Sequence, residues 1–213
     1  MMRGCFVAGT DTGVGKTHVA AAIIKALTDL GEKVSAYKPL VSGVDDPGPR
    51  DHELLARITG QDAAEISPVA YGPAVSPHLG AQLTGETIDV DDLIARGKAL
   101  GGTVVVEGIG GLLVPVTESF SVRDFAVAFG LPLVIVARPG LGTINHTLLT
   151  LDSARGAGLE VRAVVVTPWP DAPSTIEKSN IETIAKLGDV DVFTLGETEF
   201  GAVTDLPVGD WIG

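Results

Sequence analysis

Gly9-Thr10-Asp11-Thr12-Gly13-Val14-Gly15-Lys16-Thr17 lies between the apolar run Cys5-Phe6-Val7-Ala8 and an alanine-rich stretch with helical spacing. A buried strand, a glycine-rich turn and then a helix make up the pattern of a phosphate-binding loop. Backbone N–H groups at the start of such a helix point at one polyphosphate, Lys16 reaches its outer phosphates, and the Thr17 hydroxyl can ligate Mg²⁺. The chain is therefore expected to bind a nucleoside triphosphate.

The spacing is that of a variant. The common loop has its first glycine five positions before Gly-Lys-Thr; here that position is Thr10, and Gly9 stands one residue earlier. Another variant, that of partition-type ATPases, carries an additional lysine that would fall at Asp11, and this chain lacks it.

Outward from the loop, short runs rich in Val and Ile recur at residues 5–8, 34–37, 104–106, 133–137 and 163–166, with a weaker one at 190–195. They read as strands buried on both faces. Helical stretches alternate with them. In the clearest, residues 16–30, Val19, Ile23, Ala26, Leu27 and Leu30 share a face and Gly31 supplies the stop. Others are expected at 51–59, 91–100, 121–129, 143–157 and 174–187. Ser121 with Asp124 three positions later resembles a capping box, and Gly130 and Gly158 are expected to mark helix ends. The alternation implies an α/β fold with a doubly wound, mostly parallel sheet of P-loop type. A length of 213 residues suits one domain, residues 1–213. The segment Val41 to Arg50 reads as a loop at the carboxyl end of the second strand, where such sheets bind ligands.

Lys plus Arg number 15 against 27 Asp plus Glu, a net charge of −12 that repels phosphate backbones and anionic bilayers, so neither nucleic acid nor membrane is an expected partner. The single cysteine, Cys5, can form no internal disulfide and fits a cytoplasmic protein. No run of signal-peptide or membrane-spanning length is present. His18, His52, His78 and His146 lack the pairing of a zinc site, so the expected metal is Mg²⁺ on oxygen ligands.

Three further blocks carry chemistry. Tyr37-Lys38-Pro39-Leu40-Val41-Ser42-Gly43 places an amine and a hydroxyl beside the phosphate loop if the first two strands are near neighbours. A lysine ending a strand is usually a solvated charge; the flanking Pro and Ser-Gly favour a second active-site cation. Val104-Val105-Val106-Glu107-Gly108-Ile109-Gly110-Gly111 delivers one acid to a glycine-rich turn, either as a metal ligand or as a turn acid. Asp51 offers a third oxygen donor, while Asp45 and Asp46 read as solvated loop acids. Pro139-Gly140-Leu141-Gly142-Thr143-Ile144-Asn145-His146 has free N–H groups for a carboxylate or phosphate, and an ordinary N-cap at Thr143 explains it equally well.

In this order, GTDTGVGKT, KPLVSG, the Asp51 helix, Ser76-Pro77-His78, VEGIGG and LGTINH resemble dethiobiotin synthetase from residue 4 to about residue 160. The resemblance implies ATP-dependent closure of the ureido ring of dethiobiotin from 7,8-diaminononanoate and CO₂ with Mg²⁺, in a homodimer with its sites at the interface. The implied route runs through a carbamate and a carbamic-phosphoric anhydride. Lys16, Lys38 and Ser42 would be catalytic, and Thr17, Asp51 and Glu107 would hold the metal. Nucleotide contacts would come from Gly13, Val14, Gly15, Lys16, Thr17 and His18, from Asp51 and Glu107 to Gly110 (Gly108 and Ile109 included), and from Thr167, Pro168, Glu197, Thr198 and Glu199. Thr12, Lys38, Ser42 and Gly111 would face the diamine, and Leu141, Gly142 and Asn145, from the second copy, its distant carboxylate.

Three departures from the family pattern stand out. Ile109 and Leu112 replace Ala and Trp, Val166-Thr167-Pro168-Trp169 lacks the adenine-binding Asn, and Gly196-Glu197-Thr198-Glu199 lacks a Pro. Relaxed nucleotide choice is expected. A cobyrinate-type amide synthase is disfavoured because its glutaminase would need a nucleophilic cysteine, and a partition-type switch because of Asp11 and the acidic charge.

Overall fold

The computed structural model describes residues 2–202 and 205–213. In chain order the elements are β1 (Arg3–Gly9), α1 (Lys16–Asp29), β2 (Val34–Tyr37), β3 (Leu40–Ser42), α2 (Asp51–Thr59), α3 (Ala63–Ile66), β4 (Val69–Tyr71), α4 (Pro77–Thr84) and α5 (Val90–Ala99). They continue with β5 (Thr103–Gly111), α6 (Val122–Phe129), β6 (Leu133–Ala137), α7 (Thr143–Gly156), β7 (Val161–Trp169), α8 (Thr175–Gly188), β8 (Val192–Gly196) and a final 3₁₀ turn, Val208–Trp211.

The six apolar runs read from the sequence form one parallel sheet in the order β2-β5-β1-β6-β7-β8. Successive residues of a strand face opposite sides. Phe6 and Ala8, Val104 and Val106, and Leu133, Ile135 and Ala137 enter one core with Leu93 of α5, Phe125 and Phe129 of α6, Leu151 of α7 and Ile184 of α8. Cys5 and Val7, Val105, and Val134 and Val136 enter the other, with Val19, Ile23 and Leu27 of α1, Leu55 of α2 and Trp211. Helices on both faces make each strand apolar on both sides, which is why the runs lack polar alternation.

From β1 the chain goes out to β2, returns to β5, and then crosses β1 to reach β6. That reversal opens a crevice at the carboxyl ends of β1 and β5. The first two strands are not adjacent, since β5 lies between them. The Ser121–Asp124 box forms as expected: Ser121 N–H donates to Asp124 Oδ2 at 2.7 Å and Asp124 N–H to Ser121 Oγ at 3.4 Å.

The segment read as a loop from Val41 begins instead inside a strand. Leu40–Ser42 pairs parallel with Val69–Tyr71 as a separate two-stranded sheet, and strands of three residues are too short to show a period. Helix α4 was also unexpected. Gly80 weakens its helical pattern, yet a Cβ there would come 2.6 Å from the Tyr71 ring, so close packing requires the glycine.

Candidate active site

Strand β1 ends at Gly9 and α1 begins at Lys16, so the phosphate loop is the turn between them. Gly15 caps α1 with φ 94° and no side-chain cap, which leaves the first-turn N–H groups free for an anion. The loop also explains its own odd spacing. A Cβ on Gly9 would stand 2.9 Å from both Lys16 Nζ and Asp11 O, so a glycine here clears the path of the lysine, whose ammonium donates to Asp11 O at 2.9 Å.

Lys38 follows the last residue of β2, with its backbone N–H fixed on Ile66 O at 2.9 Å. Its ammonium lies 2.5 Å from Glu107 Oε1 and 2.9 Å from Asp51 Oδ2. The Thr17 hydroxyl donates to the same Glu107 oxygen at 2.9 Å. The end of β2, the middle of β5 and the first turns of α1 and α2 thus meet at one point. The cluster is closed on the sheet side, where Lys38 and Glu107 side chains are 2% and 1% exposed, and open at Asp51, which is 43% exposed.

Burial disfavours the Lys38 ammonium, but Glu107 and Asp51 outweigh it and hold the pKa above the ordinary lysine value. Burial pushes the Glu107 carboxyl up against the pull of Lys38. Asp51 is held below the usual carboxylate range: burial raises it, and Lys38 more than compensates. Lys16 is lowered to about 8, by burial first and then by the Lys38 ammonium.

Lys16 and Lys38 both line one cavity of about 400 Å³. It is lined by Thr12, Gly13, Gly15, Lys16, Thr17 and His18 from the phosphate loop and α1, by Lys38 and Ser42 from the ends of β2 and β3, by Asp51 at the start of α2, and by Glu107, Ile109 and Gly110 of β5. An oxygen-coordinated metal fits this donor set. Glu107 Oε2 is buried without a hydrogen-bond partner, and two carboxylates and a hydroxyl converge beside the polyphosphate turn. No cluster of three or more His, Cys, Asp or Glu occurs among the described residues, so phosphate oxygens or water would complete the shell.

Other residues named from the sequence lie elsewhere. Val14 is a core side chain, and only its backbone belongs to the loop. Gly108 backs onto Val122 and Phe6, and Gly111 lines a separate cavity of about 400 Å³ with Leu112, Leu113, His146 and Leu149. Thr167 is buried with its methyl against Gly15, while Pro168, Glu197 and Glu199 are exposed outside the cavity wall. Thr198 Oγ1 reaches His18 Nε2 at 3.2 Å and so touches the site indirectly. Leu141, Gly142 and Asn145 are exposed at the start of α7, apart from this cavity. Ser76 and His78 bond each other at 2.9 Å, at the head of α4.

Residues 3–199 match the family described as AAA domain. The ATP-dependent dethiobiotin synthetase BioD of Caulobacter vibrioides (strain NA1000 / CB15N) is 41% identical over 181 residues, covering 81% of this chain and 83% of that protein. Its counterpart from Bacillus subtilis (strain 168) is 36% identical over 197 residues, covering 90% and 85%. The chain belongs to the ATP-dependent dethiobiotin synthetase family.

Dethiobiotin synthetase is a ligase of biotin biosynthesis. Its fold is shared with solved P-loop ATPases. The septum site-determining protein MinD complexed with Mg-ADP from Pyrococcus horikoshii OT3 matches with a TM-score of 0.52 at 17% identity, over 93% of this chain and 82% of that one. A ParA family ATPase from Chlorobium tepidum TLS matches with a TM-score of 0.54 at 14% identity, over 92% and 85%.

Three lining residues of this cavity are not among the candidate site residues read from the sequence: Val41, Leu54 and Phe200. Leu54 was within reach of sequence reasoning, because it follows Asp51 by three positions and shares its helix face. Val41 was hidden by the loop reading, and Phe200 has no periodic signal.

Proposed function

We propose that the cavity above β1 and β5 binds a Mg²⁺–nucleoside triphosphate beside 7,8-diaminononanoate and converts the diamine, with CO₂, to dethiobiotin. The observation that supports this reading is the meeting of Lys16 and Lys38 on one cavity with Thr17, Asp51 and Glu107. One amine adds to CO₂ with loss of a proton, giving a carbamate. A carbamate oxygen attacks the γ-phosphorus, the bond to the β-phosphate oxygen breaks, and nucleoside diphosphate leaves. The second amine then attacks the carbonyl carbon, and phosphate and a proton depart as the ring closes.

The protein's task is alignment and charge neutralisation. Lys16 and the free N–H groups of the α1 terminus hold the phosphates. Lys38 stabilises the carbamate and the charge that develops on the transferred phosphoryl group. Thr12 and Ser42 hydrogen-bond the diamine region. Thr17, Asp51 and Glu107 would hold the metal, which would supply charge neutralisation for the phosphates when bound.

The diamine's distant carboxylate falls to Leu141, Gly142 and Asn145 of the partner subunit in a homodimer. The start of α7 has no side-chain cap, and Leu113, Leu141 and Leu149 are exposed nearby, which supports a covered face there. No helix among the described residues is long and apolar enough to cross a membrane, and a cytoplasmic setting is part of the proposal.

Incubation with diaminononanoate, bicarbonate, Mg²⁺ and each nucleotide should yield dethiobiotin by mass. No product with any nucleotide contradicts the reading. Lys38→Ala should keep nucleotide affinity within a few-fold while turnover falls by about 10²–10³ or more. Equal loss of both would make Lys38 a nucleotide ligand only.

A further inference from the structure

The oxygens assigned to the metal already hold a cation of the protein's own. Lys38 Nζ is 2.5 Å from Glu107 Oε1 and 2.9 Å from Asp51 Oδ2, and the Thr17 hydroxyl donates to the same Glu107 oxygen. Magnesium binds oxygen at roughly 2.1 Å, so the ion and the ammonium cannot both keep these contacts without bringing two positive charges together. We propose that Lys38 is a built-in placeholder for the metal: binding of the ion takes Asp51 and Glu107 from the ammonium, which turns into the cavity toward Ser42, where the carbamate forms. This inference rests on the reading that Thr17, Asp51 and Glu107 are the metal ligands.

Two further observations favour exchange over a permanent ion pair. Glu107 is 1% exposed, so its carboxylate needs a cation before any metal arrives, and Lys38 supplies one from within the fold. The pairing is also incomplete, because Glu107 Oε2 is buried with no partner and remains free to engage an incoming ion. The movement required is small. Lys38 already lines the cavity shared with Thr12 and Ser42, while its backbone stays pinned by Ile66 O and the following Pro39. One consequence is order: the charge that stabilises the carbamate is sequestered until the metal is in place.

The test is a Mn²⁺ titration followed by electron paramagnetic resonance, with ADP present, on wild type, Lys38→Met, Asp51→Asn and Glu107→Gln. The placeholder predicts at least tenfold tighter Mn²⁺ binding in Lys38→Met, and weaker binding in the two carboxylate variants. Carboxylate variants that bind Mn²⁺ like wild type would overturn the ligand assignment. Weakened carboxylate variants together with an unchanged or weaker Lys38→Met would overturn the exchange alone. Because Lys38→Met can lose its fold, the wild-type ammonium is also followed by ¹⁵Nζ spectroscopy of the ADP complex, assigned by its loss in Lys38→Arg. A slowly exchanging Lys38 signal that shifts and exchanges faster on adding Mg²⁺ supports release, and an unmoved signal overturns it.

Discussion

At Gly15 the loop depends on a single missing atom. The residue has φ 94°, and a Cβ there would lie 2.7 Å from Thr167 Cγ2. Gly15→Ala therefore meets both backbone strain and a side-chain clash at the cap whose N–H groups are free for an anion. Nucleotide affinity measured by calorimetry should drop at least about tenfold, near 1.4 kcal/mol. Adding Thr167→Ser, which removes the methyl and leaves the strain, should recover part of the loss. Unchanged affinity in Gly15→Ala would show that the loop is not the anion seat. Residues of this kind were legible because their chemistry is local: Gly9 to Thr17 lie in one stretch, and Lys38 and Glu107 each end an apolar run. The Lys38–Glu107–Asp51 contact was not, since it joins residues from three separate elements and depends on strand order.

Among the elements, the end of β7 is where we propose that base selectivity is set. Thr167 is buried with its methyl toward the loop, and Pro168 has no N–H and is exposed. No side-chain amide is offered at these positions, and a site built from few polar contacts discriminates weakly. Initial rates should give kcat/KM for ATP, CTP and GTP within about tenfold of one another, a spread near 1.4 kcal/mol. Preference for ATP by several orders of magnitude would refute this. The long elements were readable from the sequence because each buries a face: α1 shows its apolar spacing, and α6 shows its Ser121–Asp124 cap. The pair β3 and β4, helix α4 and the Val208–Trp211 turn were not, because three- and four-residue elements show no period and Gly80 argues locally against a helix.

For the whole molecule, a net charge of −12 surrounds a cavity that gathers Lys16 and Lys38. Because Lys38 is balanced there by Asp51 and Glu107, the proposed attraction for the triphosphate comes from Lys16 and the free N–H groups of α1, against the charge of the surface. The sheet that builds it has Cys5 in β1, between β5 and β6, with no exposed area and a thiol that burial pushes up to about 12. Thiolate is the reactive species, so a thiol reagent should label the native protein only as fast as the central sheet opens, and label it promptly in denaturant. Rapid stoichiometric labelling of native protein would contradict the burial of β1. The architecture was legible as a whole because strand and helix alternate along the chain, whereas the position of β5 between β1 and β2 was not, since alternation does not fix strand order.

Carbamate oxygen is proposed to be phosphorylated beside the two lysines, and isotope transfer tests this most directly. With ¹⁸O-labelled bicarbonate and early quenching, the account predicts one labelled oxygen in the inorganic phosphate released per dethiobiotin formed. Phosphate without label, alongside labelled bicarbonate still in solution, would contradict it.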